Sequence, residues 1–406
     1  MNNIYIFLTN TLGGYSGGPS YVRNKKIWLE SCGWIVHAYD STGLSNALIE
    51  YSELKEYENN RIEELFYHPS WIIKGIRERV INKIVSNYSQ LYDKIVIESN
   101  TLILAEWGEL ISERLDAKHL IYILGENVKI KNLNEFKFLY HKYLNNEVFS
   151  ISSKAFQSLW GDYVKIKNAE NRYWDAMSMT TPQDIEAIYL NIIDNSNITI
   201  THFGRFKDYV SNVIEEVCIF ANNNKDKTIN FILFGIKSLP LFLKQSLDVI
   251  DNINLYLFES VFPIPLKLFK VSDVVIATAG CAVISANTGV KTISYNVETN
   301  LPLGIMGYTT NQISFCDENH REEQVLHDIL DDILIKKIYE YSAPIKISSF
   351  NKGYEYHVSF INNKKDYFKD VLKIDYYNSL KQLLSKLLCK IGMVHIASLL
   401  RYQRNK

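Results

Sequence analysis

A glycine followed by two basic residues, in the stretch Gly204-Arg205-Phe206-Lys207, stands where a predicted strand ends and a predicted helix begins. Backbone N–H groups at the start of a helix bind anions because they lie at the positive end of the helix dipole. Arginine and lysine side chains add charge-assisted hydrogen bonds to phosphate oxygens. The segment therefore predicts a phosphate site, and the alternative is an ordinary solvated turn.

Two more glycines mark strand-to-helix turns in the same half of the chain. Gly280, followed by Cys281, comes after the apolar run 274–278, and Gly235 closes the apolar run 229–234. A glycine at such a turn lets a ligand approach the backbone closely. Gly280 and Cys281 would then open a ligand-binding helix, unless they form only an ordinary turn.

The N-terminal strand, predicted over residues 4–8, is followed by a cluster of glycines and then by a helix predicted to begin near Pro19. The glycines of this cluster are Gly13, Gly14, Gly17 and Gly18. Such a loop lines a ligand cleft in some proteins and serves only tight packing in others. Both interpretations stay open.

A candidate general base is Glu126, which follows Gly125 and the strand predicted over residues 119–124. A carboxylate at the C-terminal end of a strand could take a proton from an acceptor hydroxyl. A glutamate on a surface loop is the equal alternative. His119 is interpreted as a packed structural histidine, and His202 as a core residue that could instead face a ligand.

Short apolar runs alternate with helical stretches along the whole chain, which predicts parallel sheets covered by helices. The runs lie at 4–8, 34–39, 93–98 and 119–124, and again at 198–203, 229–234, 254–258, 274–278 and 292–295. Between 178 and 197 the periodicity fades and turn residues collect. We therefore predict an α/β fold with two doubly wound parallel-sheet domains, at 1–185 and 195–370, and a tail at 371–406.

Composition narrows the class of protein. A chain of 406 residues suits two domains of roughly 150–200 residues, and 44 basic against 45 acidic residues argue against a nucleic-acid partner. Five cysteines without a C-x-x-C pair indicate a reducing, cytoplasmic compartment and no zinc site. The N-terminus lacks a signal peptide pattern, and the uncharged run 274–290 is broken by polar residues, so no transmembrane helix is predicted.

Three stretches resemble nucleotide-sugar glycosyltransferases of the GT-B fold, especially those that build bacterial surface polysaccharides. Residues 13–40 (GGYSGGPSYVRNKKIWLESCGWIVHAYD) are similar to the opening pattern of that family. Residues 201–208 (THFGRFKD) and 271–296 (VSDVVIATAGCAVISANTGVKTISYN) resemble its donor-binding segments. The resemblance covers both halves in order. It implies two Rossmann-like domains facing a cleft, the first for the acceptor and the second for the nucleotide sugar.

The resemblance implies a UDP- or GDP-sugar as donor substrate and a glycan or lipid-linked acceptor, with no cofactor and no metal, since no D-x-D stretch is present. The donor-binding candidates are Gly204, Arg205, Lys207, Gly235, Gly280, Cys281, Ser285 and Glu298. Arg205 and Lys207 would hold the diphosphate. The chain departs from retaining members of the family, because Ala277 and Ser285 stand where they carry two glutamates. Glu298 is a candidate replacement carboxylate.

The tail combines an apolar stripe with basic residues. Between Tyr376 and Lys406 there are six lysines and arginines and no acidic residue, and leucines recur at helical spacing. This pattern is typical of a helix that lies on an anionic membrane surface, which would place the protein at the inner face of the plasma membrane. The alternative is a terminal helix packed on the first domain.

Three other functions compete with glycosyl transfer. A dinucleotide oxidoreductase would explain Asp40 at the end of the second strand, but the glycines do not fit G-x-G-x-x-G. A sugar-nucleotide epimerase is a second enzyme alternative. A non-catalytic subunit of an assembly complex would explain the missing glutamates, although such a scaffold needs no phosphate site.

Overall fold

The computed structural model describes residues 3–10, 12–14, 17–41, 48–88, 92–161, 163–164, 166, 172, 180–297, 299–313, 324–339 and 351–402. The chain forms two compact units. The first unit comprises Met1–Met177 and Asn351–Lys406, and the second comprises Ser178–Phe350. The change between units at 177–178 lies a few residues before the boundary predicted from the fading periodicity.

The first unit is built on a five-stranded parallel sheet. Its elements up to residue 160 are β1 Asn3–Thr9, α1 Gly17–Ser31, β2 Trp34–Asp40, α2 Lys74–Val85, β3 Lys94–Ser99, α3 Leu102–Leu115, β4 Lys118–Ile123, α4 Leu133–Leu144, β5 Val148–Ser150 and α5 Ser153–Trp160. The strand order is β2-β1-β3-β4-β5. Residues 4–8 of β1 are all fully buried, because helices cover both faces of a parallel sheet.

The second unit contains a six-stranded sheet. Its elements are β6 Ile198–Phe203, α6 Tyr209–Asn223, β7 Ile229–Phe234, α7 Leu241–Asp248, β8 Ile253–Phe258, α8 Leu266–Lys270, β9 Val274–Ala277, α9 Ala279–Ala286, β10 Lys291–Asn296, β11 Leu301–Ile305 and α10 Leu326–Leu334. The strand order is β11-β10-β9-β6-β7-β8. Ile200 lies in the core on one face and Phe203 in the core on the other. The prediction of two doubly wound parallel sheets is confirmed.

One strand of the second sheet departs from the parallel arrangement. Strand β11 pairs antiparallel with β10 at the edge of the sheet. Pro302 and Gly304 lie within it. The sequence pattern did not predict this strand, because both residue types normally interrupt strands and are tolerated mainly at edges.

The chain returns to the first unit after residue 350, with helices α11 Asn351–Val358, α12 Leu380–Lys390 and α13 Val394–Tyr402. Residues 351–370 therefore differ from the prediction that assigned them to the second domain. The reason is packing in the first unit: His357 Nδ1 lies 2.9 Å from Lys25 Nζ, and the backbone N–H of Phe368 donates to Glu109 over 2.7 Å.

The tail also differs from the single amphipathic helix that was predicted. Helices α12 and α13 are separated by Gly392, whose φ of 82° is in the left-handed region that favours glycine. Cys389, Val394 and Ala397 are buried in the core of the first unit. Within the described ranges, no helix combines the length and the apolar character that crossing a bilayer requires.

Candidate functional site

Four neighbouring strands of the second unit end level with one another. The register pairs Phe203 of β6 with Ala277 of β9 and with Phe234 of β7, and Phe234 with Phe258 of β8. The turns that begin at Gly204, at Gly235 and at Thr278 therefore lie side by side at one edge of the sheet. The carboxyl edge of a parallel sheet is where ligands bind in this class of fold.

Two of these turns touch through their glycines. The N–H of Gly204 donates to the carbonyl of Phe234 over 3.0 Å, and that of Gly235 donates to Phe258 over 2.8 Å. A Cβ at Gly235 would lie 2.6 Å from the carbonyl oxygen of Gly204, and the φ of Gly235 is +100°. A larger residue would therefore displace the Gly204 turn. The close contact between the two turns therefore requires glycine at position 235, whether or not a ligand binds there.

Helix α9 begins at the same edge. It has Thr278 as its N-cap residue and includes Gly280 and Cys281 in its first turn. Ala279, its first residue, has a φ of +48°, a conformation that costs a non-glycine residue free energy. Because β9 pairs with β6, the positive end of the α9 dipole lies next to the Gly204 turn.

Tyr209 connects the two turns. Its hydroxyl lies 2.9 Å from His202 Nε2. Burial raises the pKa of Tyr209 above its ordinary value, whereas a hydrogen bond with Thr278 and the positive charge of Arg205 act in the opposite direction. Arg205, predicted to bind phosphate, follows β6, and the register places the end of β6 beside the end of β9, where α9 begins.

The predicted donor residues occupy different environments. Arg205 and Lys207 are exposed, and Gly204, Gly280 and Cys281 are partly exposed. Ser285 is fully buried, and its hydroxyl donates to the carbonyl of Cys281, one turn earlier in α9, over 2.8 Å. Its side chain thus does not face the edge, and we remove it from the candidate site. Glu298 lies outside the described residues.

His202 belongs to the core of the second unit rather than to its surface. The side chain is fully buried, and burial lowers its pKa to about 4. In the described part of the chain its Nδ1 atom has no hydrogen-bond partner. His202 therefore stays neutral at pH 7 and positions Tyr209.

The candidates in the first unit lie after β1 and after β4. Gly13 and Gly14 are partly exposed, Gly14 has a φ of +75°, and its N–H donates to Leu48 over 3.0 Å. Helix α1 begins at Gly17, followed by Gly18, two residues earlier than predicted. Glu126 is partly exposed in the loop after β4. These positions are at the carboxyl ends of their strands, as the sequence predicted.

A buried charged network beneath α1 was not predicted. Lys25 Nζ lies 2.5 Å from Glu98 Oε2, and both side chains are fully buried. Tyr5 and Tyr21 donate to the two oxygens of Glu98 over 2.5 and 2.7 Å. Burial lowers the pKa of Lys25 to about 8, although Glu98 opposes that shift. The available signal was one carboxylate directly after the apolar run Ile95–Ile97 of β3.

A second buried network has the residue types of a hydrolase triad. His119 Nδ1 lies 2.7 Å from Glu109 Oε2, and His119 Nε2 lies 3.0 Å from Ser99 Oγ. The serine hydroxyl also donates to the carbonyl of Leu104 over 3.0 Å, and a Cβ added at Gly108 would come within 2.3 Å of it. All three side chains are at most 1% exposed, so the network is part of the core, and His119 is structural.

Across the described ranges, no group of three or more histidine, cysteine, aspartate or glutamate side chains has the arrangement of a metal site.

Comparison with known proteins adds fold information. No protein-family model and no curated protein matches the sequence. A solved glycosyltransferase from Rickettsia africae is 15% identical with a TM-score of 0.54, covering 89% of this chain and 100% of that chain. Sucrose-phosphate synthase from Thermosynechococcus elongatus is 13% identical with a TM-score of 0.51, covering 95% and 99%.

A UDP-N-acetylglucosamine 2-epimerase from Neisseria meningitidis, solved with UDP-GlcNAc, is 12% identical over 89% of this chain and 100% of that chain, with a TM-score of 0.44. At these identities the similarity concerns the fold and leaves the reaction open. The two α/β units with parallel sheets and the first two matches together show that the chain has the GT-B fold.

Proposed function

We propose that this protein is a glycosyltransferase that moves a sugar from a nucleoside-diphosphate sugar to an acceptor hydroxyl. One observation carries the proposal: the exposed Arg205, after β6, and the start of α9, after the neighbouring β9, lie at the same carboxyl edge of the second sheet. This juxtaposition offers a guanidinium group and a helix N-terminus to one anion. A diphosphate fits that chemistry.

The reaction makes use of such an arrangement. As the bond between the anomeric carbon and the phosphate oxygen breaks, negative charge grows on the departing diphosphate. Preoriented donors aimed at that charge stabilise the transition state more than the ground state. We assign this role to Arg205, to the backbone N–H groups at the start of α9 and, as a second cation, to Lys207. The proposed site uses no metal ion and no cofactor.

The glycines of the edge give the diphosphate access to the backbone. Gly204 has no Cβ to cover its own turn, and Gly235 lets that turn lie against β7. We propose that the donor is a UDP- or GDP-sugar bound along Gly204, Gly235 and Gly280. The partly exposed Cys281, in the first turn of α9, lies beside this path.

The acceptor side is proposed to belong to the first unit. Glu126, after β4, would accept the proton of the acceptor hydroxyl, and the loop from Gly13 to Gly18 would contribute to acceptor binding. We propose a glycan or lipid-linked acceptor, as in the synthesis of bacterial surface polysaccharides. The similarity of the N-terminal stretch to that family supports this choice.

Nucleotide calorimetry tests the donor site. UDP and GDP are titrated with EDTA present, and one of them should bind. Arg205→Ala should weaken binding by about 1.5–3 kcal/mol, or roughly 10- to 100-fold, because a charge-assisted contact is lost. The matched control is Lys227→Ala, since Lys227 is half-exposed and precedes β7 at the opposite edge of the same sheet. Equal affinities of both variants would remove Arg205 from the site.

A product assay tests the reaction. The protein is incubated with nucleotide sugars and candidate acceptors, and Glu126→Gln should lower kcat without changing nucleotide affinity, because the proposed base acts on the acceptor. Release of the nucleoside diphosphate together with a glycosylated acceptor is expected. Conversion of the donor to an epimer without an acceptor would contradict the proposal in favour of an epimerase.

A further inference from the structure

Helices α12 and α13 expose an unusual amount of apolar surface. On α12 the exposed residues Leu380, Leu384, Leu387 and, just beyond it, Ile391 follow one another at intervals of four, three and four, so they form one helical stripe. Met393, Ile396 and Leu399 are exposed on and just before α13. We call these seven side chains the tail face. Their concentration within twenty residues distinguishes them from scattered surface apolar residues.

The side of α12 and α13 opposite the tail face packs against the rest of the first unit. Cys389, Val394 and Ala397 are buried in the core of the first unit. Tyr67 OH lies 3.0 Å from Ser398 Oγ, and Lys386 lies 2.5 Å from Asp375. One side of the two helices thus packs against the first unit, and the apolar side that remains faces solvent.

The charged residues of the tail helices are basic, and the two acidic residues that contact these helices, Asp375 and Glu63, are paired with Lys386 and His395. Between residues 376 and 402 the chain has no aspartate or glutamate. Lys390 is exposed between Leu387 and Ile391, and Lys74 is exposed at the start of α2, next to Ile73. Ile73 is itself exposed and would lie 3.4 Å from a Cβ at Gly392. Apolar groups flanked by lysines suit a partner that is apolar inside and anionic at its surface.

We propose that the tail face binds the surface of a bilayer that contains anionic lipids, with α12 and α13 lying along the interface. A second copy of the chain fits less well, because a symmetric dimer would place two faces with the same excess of lysines against each other. A bilayer instead accepts the apolar side chains between its acyl chains and the lysines at its phosphates. This inference does not depend on the proposed glycosyl transfer.

Vesicle sedimentation tests the proposal with the full-length protein. The probes are vesicles of phosphatidylcholine alone and of phosphatidylcholine mixed with phosphatidylglycerol. The variant Leu384→Ser/Leu387→Ser/Ile391→Ser should lower the partition coefficient by roughly tenfold or more, because it removes apolar area from the interface. The matched control is Leu241→Ser/Phe242→Ser/Val249→Ser, which changes three exposed apolar residues of the second unit.

The outcomes separate the possible partners. Binding to mixed vesicles that falls with rising salt, and that the tail variant alone loses, supports the proposal. Equal binding by the tail variant and the control overturns it. So does a wild-type dimer, detected by analytical ultracentrifugation, that the tail variant dissociates while vesicles bind neither protein. Loss of nucleotide binding by Arg205→Ala with vesicle binding intact would show that the two sites are separate.

Discussion

The two sheets of this protein have the same kind of architecture, but they differ in whether charged side chains are buried beside them. In the first unit, Lys25, Glu98, Glu109 and Lys142 are all at most 1% exposed and pair with one another. Among the described residues of the second unit, the polar side chains buried within the strands are neutral, such as Thr201, His202 and Asn230.

This difference separates structural charges from charges that can serve a ligand. A buried charge must be paired, because taking it from water is costly, and its partner is then occupied. Arg205 and Lys207 remain at the surface edge of the second sheet. A titratable residue near a strand end is therefore a site candidate only when its position leaves it accessible, a condition that His119 and Glu109 fail.

The largest effect is expected from breaking the buried pair of the first unit. Lys25→Met should lower the free energy of unfolding by about 3–5 kcal/mol, because Glu98 is left as a buried, uncompensated charge. All six tryptophans precede residue 178, so denaturant unfolding followed by tryptophan fluorescence reports on the first unit. The double variant Lys25→Met/Glu98→Leu should recover most of the loss. A cost below about 1 kcal/mol for the single variant would refute the structural role.

The next largest effect concerns the two touching turns of the second unit. Gly235→Ala should destabilise the unit by about 1–3 kcal/mol more than Gly289→Ala, because only the former adds a clash, with the carbonyl of Gly204. Both glycines have positive φ, +100° and +90°, so Gly289→Ala controls for backbone strain. Hydrogen exchange of β6 and β7 measures stability, and calorimetry measures nucleotide affinity. Equal exchange in both variants would count against the close approach.

The buried, neutral His202 in the core of the second unit predicts that the stability of this unit depends on pH. His202 has a pKa of about 4 in the folded protein, against about 6.5 when unfolded. The unfolded chain therefore takes up a proton first as the pH falls, and stability is lost between pH 6.5 and 4. Between pH 7 and 5 this loss should be on the order of 2 kcal/mol.

The variant His202→Gln cannot titrate in this range and should lose that part of the pH slope, as measured by hydrogen exchange of β6 at both pH values. Because other groups also titrate, the difference between the wild-type and variant slopes is the quantity to compare. Identical slopes would mean that His202 is not neutral in the folded protein.

The smallest effect is expected at Ser285. Ser285→Ala should leave nucleotide affinity unchanged and lower stability by less than about 1 kcal/mol, because the hydroxyl bonds only to a carbonyl of its own helix. Calorimetry beside Arg205→Ala provides the comparison. A loss of affinity similar to that of Arg205→Ala would return Ser285 to the donor site.

Much of the second unit was predictable from sequence. Its strands at 198–203 and 229–234 have the predicted bounds, because continuous apolar runs ended by glycine leave few alternatives. The position of the Gly204 turn, which we propose to bind phosphate, follows directly from those strands. Such a local pattern predicts a strand without knowledge of the rest of the fold, because a strand buried on both faces needs apolar residues whatever packs against it.

The sequence by itself determined the two parallel α/β units, the strand ends that carry Gly204, Gly235 and Gly280, and the basic, acid-free tail. Only the tertiary structure decided that residues 351–370 belong to the first unit, that Ser285 faces inward and that Lys25 pairs with Glu98. The first and the last of these depend on contacts between segments far apart in the chain, as the separation of 73 positions between Lys25 and Glu98 illustrates. Periodicity records which face of an element is buried, but it does not record which distant side chain meets that face.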